Sequence, residues 1–133
     1  MQTEYAEIAR SLQTYFDGFY NGDVAALRRI FHPACHLYNA GEGRLADDDM
    51  ETVYARVANR ASPASNGEIR HDAILGIDVS GPVCALARVR IAIGQRLFTD
   101  YLNLLKIDGE WRIIAKVFSW TALPAATQAR AAE

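Results

Sequence analysis

Cysteine is nearly absent from this chain of 133 residues: Cys35 and Cys84 are the only two, which excludes a disulfide-stapled scaffold. Both fall within predicted strands, where small buried thiols commonly sit in the reduced state. No apolar run approaches the ~20 residues a membrane helix needs. The opening Met1-Gln2-Thr3-Glu4-Tyr5 is polar and acidic, where a secretory leader would be basic and then apolar. A cytoplasmic protein with no membrane partner is expected. An excess of one charge is missing too: 14 Lys and Arg stand against 16 Asp and Glu, and the arginines are scattered, with no basic stripe to meet a phosphate backbone. Nucleic acid is therefore not an expected partner. Nothing has the order of a Ser-His-Asp triad, a phosphate-gripping glycine loop, a dinucleotide fingerprint or a zinc spacing. His32 and His36 are four apart, but Pro33 between them removes the helix that would aim both at one ion. No metal and no cofactor is expected.

What is present is the composition of a soluble domain, 50% hydrophobic and 23% charged, in a length suited to one core. We expect a single domain over 1–123 and a frayed, alanine-rich tail over 124–133. Tyr5, Ile8, Leu12, Tyr15, Phe16, Phe19 and Tyr20 recur at spacings of three and four, which predicts a helix with one apolar face. Asn21-Gly22-Asp23 ends it and caps a short second helix that stops before Pro33. Residues 34–40 alternate as a strand does. Asp47-Asp48-Asp49 suits the amide end of a third helix carrying Met50, Val53, Tyr54 and Val57. From Glu68 to Thr121 the chain reads as four antiparallel strands, broken at Ser80-Gly81-Pro82, Gly94-Gln95 and Asp108-Gly109. The expected class is α+β, in the order helix, helix, strand, helix and four strands.

The two-residue turns set a register, because they decide which residues stand opposite one another. With Gly94-Gln95 as a loop, Val89 faces Asp100 and Ile91 faces Phe98; with Asp108-Gly109 as a loop, Leu104 faces Ile113 and Asp100 faces Val117. Phe98, Leu102, Trp111 and Val117 then join a helix-covered face with Asp100 in its middle. Arg88, Arg90, Tyr101, Asn103, Ile114, Lys116 and Phe118 fall on the opposite face, whose aromatic and polar mixture suits solvent or the second subunit of a homodimer. A β-bulge would shift this parity.

Asp100 is the sharpest candidate for chemistry. A carboxylate among apolar residues is normally paired, hydrogen-bonded or open to a wet pocket, and functional sites are enriched in such groups. Equally, a tyrosine hydroxyl or backbone amides could hold it as an architectural group. His36 and Tyr38 share a strand face and could point into a cavity as a catalytic or ligand-gripping pair, or lie on a half-exposed edge. Tyr15 and Phe19, with Phe98, Leu102 and Val117, would line a pocket for a planar ligand, or simply fill the core.

His36-Leu37-Tyr38-Asn39, Phe98-Thr99-Asp100-Tyr101-Leu102-Asn103 and Asp108-Gly109-Glu110-Trp111-Arg112-Ile113 resemble segments of the putative lumazine-binding family, part of the nuclear-transport-factor-two-like superfamily. The resemblance spans residues 4 to 121. It implies a cone-shaped sheet wrapped around a helix, a conical cavity, a small-molecule ligand and, commonly, a dimer. Relatives implied by it include ketosteroid isomerases, scytalone dehydratases and polyketide cyclases, beside members that only bind. The isomerases carry a basic aspartate near the end of the first strand, where this chain has Asn39. Three readings are open: a pocket for an aromatic or polycyclic molecule; a cofactor-independent isomerase, dehydratase or cyclase using Asp100 or His36; and a dimeric interaction module with an occluded cavity.

Overall fold

Helix α1 (Gln2–Asn21) buries Ile8, Leu12, Tyr15, Phe16 and Phe19 along one side, the stripe that the three-and-four spacing dictates. The computed structural model describes residues 2–124, so the expected tail lies, but for Pro124, outside the described residues. Gly22, with φ of 64°, takes the left-handed conformation that reverses the chain after α1. The Asp23 carboxylate then accepts the Ala26 N–H at 3.1 Å and caps α2 (Val24–Ile30). The two helices meet at Gly18, where a Cβ would come within 2.7 Å of Leu27 Cδ2.

Among the described residues six strands follow: β1 (Phe31–Asn39), β2 (Ala46–Asp49), β3 (Ala73–Ser80), β4 (Cys84–Ile93), β5 (Arg96–Ile107) and β6 (Glu110–Ala122), with α3 (Met50–Asn59) between β2 and β3. They form one curved open sheet in the order β2-β1-β6-β5-β4-β3. Only the β1–β6 pair is parallel among the described strands. The helices cover the concave face, and the core of Leu12, Tyr15, Phe31, Leu102, Leu104 and Ile113 lies between them.

Three expectations change. The acidic triplet is a strand before it is a helix start: Asp47, Asp48 and Asp49 pair with Tyr38, Leu37 and His36 as β2. Asp49 alone has the helix role, accepting the Thr52 N–H at 2.9 Å to cap α3. Cys35 is buried as expected, whereas Cys84, placed just past a turn on the outward side of β4, is exposed.

The third change matters most for function. Both turns hold, with Ile93 opposite Arg96 and Ile107 opposite Glu110. Between them, Leu104 pairs with Ile113 but Asn103 pairs with Ala115, so Ile114 is an extra residue in β6. Beyond that bulge every side chain of β6 changes face, because side chains alternate with a period of two. Asp100 therefore stands opposite Phe118 and not Val117. Lys116 and Phe118 turn inward and Val117 turns outward, reversing the expectation for all three.

Candidate functional site

Between the concave face of the sheet and the helices α1 and α3 is a cavity of about 630 Å³, within the range of small-molecule sites. Its apolar walls include Phe19 from α1, Val53 and Val57 from α3, and Ile91, Phe98 and Phe118 from the sheet. Phe98 and Phe118 meet at 5.7 Å between ring centroids. The cavity is not occluded: exposed Leu45 and Trp120 line it together with buried Lys116.

Lys116 is only 5% exposed even though it lines the cavity. Its Nζ lies 3.5 Å from Asp100 Oδ2, and Asp100 is completely buried. The Tyr15 hydroxyl donates to the same carboxylate oxygen at 2.5 Å. Three aromatic rings surround the ammonium at 4.8 to 5.2 Å from their centroids: Phe19, Tyr15 and Phe118. The result is a chain of three ionisable groups from the core to the cavity, Tyr15 to Asp100 to Lys116.

Burial pushes the Lys116 ammonium below the usual lysine range, and the Asp100 carboxylate opposes that push without cancelling it. Burial and the Asp100 charge together raise the Tyr15 phenol well above its ordinary value. Tyr15 thus stays a hydrogen-bond donor, while burial shifts Lys116 toward its neutral form. Cys35 faces the same interior, and burial pushes its thiol up to about 12, which leaves it an inert apolar group at neutral pH. Within this triad Asp100 Oδ1 has no hydrogen-bond partner among the described residues.

The structure brings only some of the candidate residues together. Phe19 and Phe98 line the cavity; Tyr15 and Leu102 are fully buried in the core and do not. Asp100 lies behind Lys116 and does not line the cavity. His36 and Tyr38 are on the outer face, because Cys35 and Leu37, the alternate residues of β1, fill the interior. There His36 stacks on Tyr38 and its Nδ1 lies 2.6 Å from Asp47 Oδ1. Val117, the parallel-strand neighbour of Tyr38, shares that outer face. His32 and His36 do not converge either; His32 Nδ1 accepts the Ala34 N–H at 3.0 Å. Asn39 does line the cavity, at the end of the first strand.

Sequence reasoning misses Lys116, and with it the rim of Arg44, Arg56, Arg60 and Arg96. The one available signal for Lys116 is the readiness of a strongly curved sheet to bulge.

No helix among the described residues is long and apolar enough to cross a membrane, and no group of metal-binding side chains occurs among them. Comparison with known proteins gives the same architecture. A nuclear-transport-factor-two-like protein of unknown function from Silicibacter pomeroyi superposes with a TM-score of 0.80 at 26% identity, over 91% of this chain and 99% of that one. A second such protein, from Shewanella baltica, also gives 0.80 at 26% identity, over 90% and 94% of the two chains. Among curated proteins, the aldolase FrzH of a Cladobotryum species is 22% identical over 118 residues, 87% of this chain and 90% of that protein. The model of the putative lumazine-binding family matches residues 3–119, from the first turn of α1 through most of β6. A helix-filled, curved sheet with a ligand-sized cavity behind it is thus this chain's inheritance as a member of the putative lumazine-binding family, within the nuclear-transport-factor-two-like fold.

Proposed function

We propose that the chain binds a small planar molecule, aromatic or polycyclic, in the cavity above Lys116, and that the lysine ammonium donates to an oxygen of that ligand. The observation that carries this reading is a buried cation in the wall of a cavity that also presents Phe19, Ile91, Phe98 and Phe118. Burying a paired charge seldom gains stability over an apolar residue of similar size, so its presence at a cavity wall favours a role toward a ligand. Native mass spectrometry on protein from its own host tests it. One small molecule per chain is expected, and the Asp100→Leu, Lys116→Met double variant, which strands no buried charge, should retain at least about tenfold less, the loss expected for a hydrogen bond to a charged group. Equal retention by the variant would overturn the reading.

A second reading, cofactor-independent proton transfer, draws support from the Tyr15, Asp100 and Lys116 chain. In it, Lys116 donates to a developing oxyanion while Asp100 and Tyr15 fix its position and protonation. Asp100 would then be a positioning residue, acting through Lys116. The aldolase among the relatives fits carbonyl chemistry of this kind. His36 and Tyr38 face the other side of the sheet and have no part in it.

We also propose a cytoplasmic homodimer. Exposed Cys84 suits a reducing compartment. For the dimer, Tyr38, Val117, Tyr101 and Arg88 form one row across four strands of the face that no helix covers, with Val117 49% and Tyr101 44% exposed. Phe118, expected there from the turns, is on the other side. Sedimentation at micromolar concentration should give a dimer, and Val117→Glu a folded monomer. A monomeric parent would end this part of the proposal.

A further inference from the structure

The cavity is more cationic than the chain that encloses it. The protein's net charge is −2, yet the cavity is lined by Arg44, Arg56, Arg60, Arg96 and Lys116 against only Glu42 and Asp48. The carboxylates neutralise it only in part, since Glu42 is the one lining acid left to answer three arginines. Asp48 is taken by Arg56 Nη2 at 2.8 Å, and Asp100, behind the wall, is taken by Lys116. Among the described residues, Arg44, Arg60 and Arg96 form no salt bridge.

Arg60 and Arg96 are the informative pair. Arg60, just past the end of α3, is half-buried; burial first, then the Arg56 charge, push its guanidinium below the usual arginine range, and the Glu68 carboxylate opposes them only in part. The Arg60 charge also adds to the downward push on Lys116, a minor influence beside burial. Arg96 enters from the start of β5 and lies 3.9 Å from the centroid of the Trp120 indole, a stacking that orients its planar fork before any ligand arrives. Like charges gathered on one concave surface repel one another, and an anion among them relieves that repulsion. A guanidinium fork matches the two oxygens of a carboxylate, sulfonate or phosphate.

Resting on the pocket reading above, we infer that the ligand is a planar organic anion, with its anionic group held at the arginine end by Arg60 and Arg96 and its rings against Ile91, Phe98 and Phe118. The ligand is thus two-ended: a charged group at the rim and an oxygen toward Lys116.

Two fluorescent probes separate this inference from the reading beneath it. 8-Anilinonaphthalene-1-sulfonate and N-phenyl-1-naphthylamine share one ring system and differ by a single sulfonate. The sulfonate should bind at one site per chain, at least about tenfold tighter than the neutral amine, and raising the salt should weaken it alone. Arg60→Gln and Arg96→Gln should each weaken the sulfonate about fivefold and leave the neutral amine unchanged, which also reports that the variants are folded. Arg10→Gln, an exposed change on the far side of α1, should alter neither. Equal affinity for the two probes, or unaltered sulfonate binding by both cavity variants, would overturn the anion while leaving the pocket standing. Binding of neither probe would remove the pocket and the anion together.

Discussion

Asp100→Ala should destabilise the protein by about 3–5 kcal/mol, because it leaves the Lys116 ammonium buried without its counter-charge. The loss is not one of size alone. Asp100 is fully buried, its Oδ2 accepts from the Tyr15 hydroxyl and pairs with Lys116, and it is the one acceptor that both donors share. Removing both charges should therefore recover most of what removing one loses: Asp100→Leu with Lys116→Met should be more stable than Asp100→Ala by at least about 2 kcal/mol, since apolar replacement of a buried pair is often neutral or favourable. What remains is the stranded Tyr15 hydroxyl, a further ~1–3 kcal/mol that Tyr15→Phe in the same background should restore. Urea denaturation at neutral pH measures all of these variants beside the parent. A single-variant loss under ~1 kcal/mol, or a double variant no better than the single, would mean that shape and not charge fixes this site.

A milder change at the same position divides architecture from function. Asp100→Asn keeps the shape and still offers an acceptor to Tyr15, but weakens the hold on Lys116. If Asp100 serves only the fold, its cost is confined to stability. If it positions Lys116 for a ligand, retention of that ligand falls even where the melting temperature recovers.

The site is only half legible in the sequence, and the reason lies in where its residues come from. The helix stripe from Ile8 to Phe19 can be read because burial at a 3.6-residue period is written directly in the spacing. Both hairpins can be read because Gly94, Asp108 and Gly109 take positive φ, and glycine and aspartate at a turn announce it. Asp100 is legible because the Gly94-Gln95 turn alone fixes its face, through β4, and the bulge does not intervene. Lys116 is not, because one unpaired residue, Ile114, changes the parity of the rest of β6, and isoleucine carries no bulge signature. The arginine rim is invisible for a different reason. Arg56 in α3 and Arg60 at its end are one helical turn apart, but Arg44 lies in a loop and Arg96 in β5, and no spacing joins these to them; only the closing of the sheet over α3 brings all four to one cavity. Asp47 and Asp48 resemble helix-start residues because an edge strand and a helix N-terminus both favour exposed acids, and only pairing with β1 tells them apart.

Trp111→Ala should lose about 3–5 kcal/mol, the range for deleting a large buried aromatic. Trp111 precedes the bulge, so its inward orientation rests on the Asp108-Gly109 turn alone: it stands opposite Lys106, two residues from Ile113, and is 4% exposed. It closes the end of the core where α1 and α2 come down on β6, sharing a surface depression with Ile30 and Arg112. Arg112 in turn donates to the Arg29 carbonyl at 2.5 Å, tying β6 to the last turn of α2. A cavity at Trp111 would therefore loosen the contact between the hairpin and both helices at once. Trp111→Phe is the informative companion. The indole N–H is buried and has no hydrogen-bond partner among the described residues, so replacing it removes an unsatisfied donor while keeping most of the apolar contact. Phe should accordingly cost less than half of what Ala costs, with both measured by urea denaturation under one set of conditions. If Trp111→Phe is as damaging as Trp111→Ala, the indole N–H has a partner and the residue anchors the core by a hydrogen bond; if Trp111→Ala loses under ~1 kcal/mol, the residue is not part of the core.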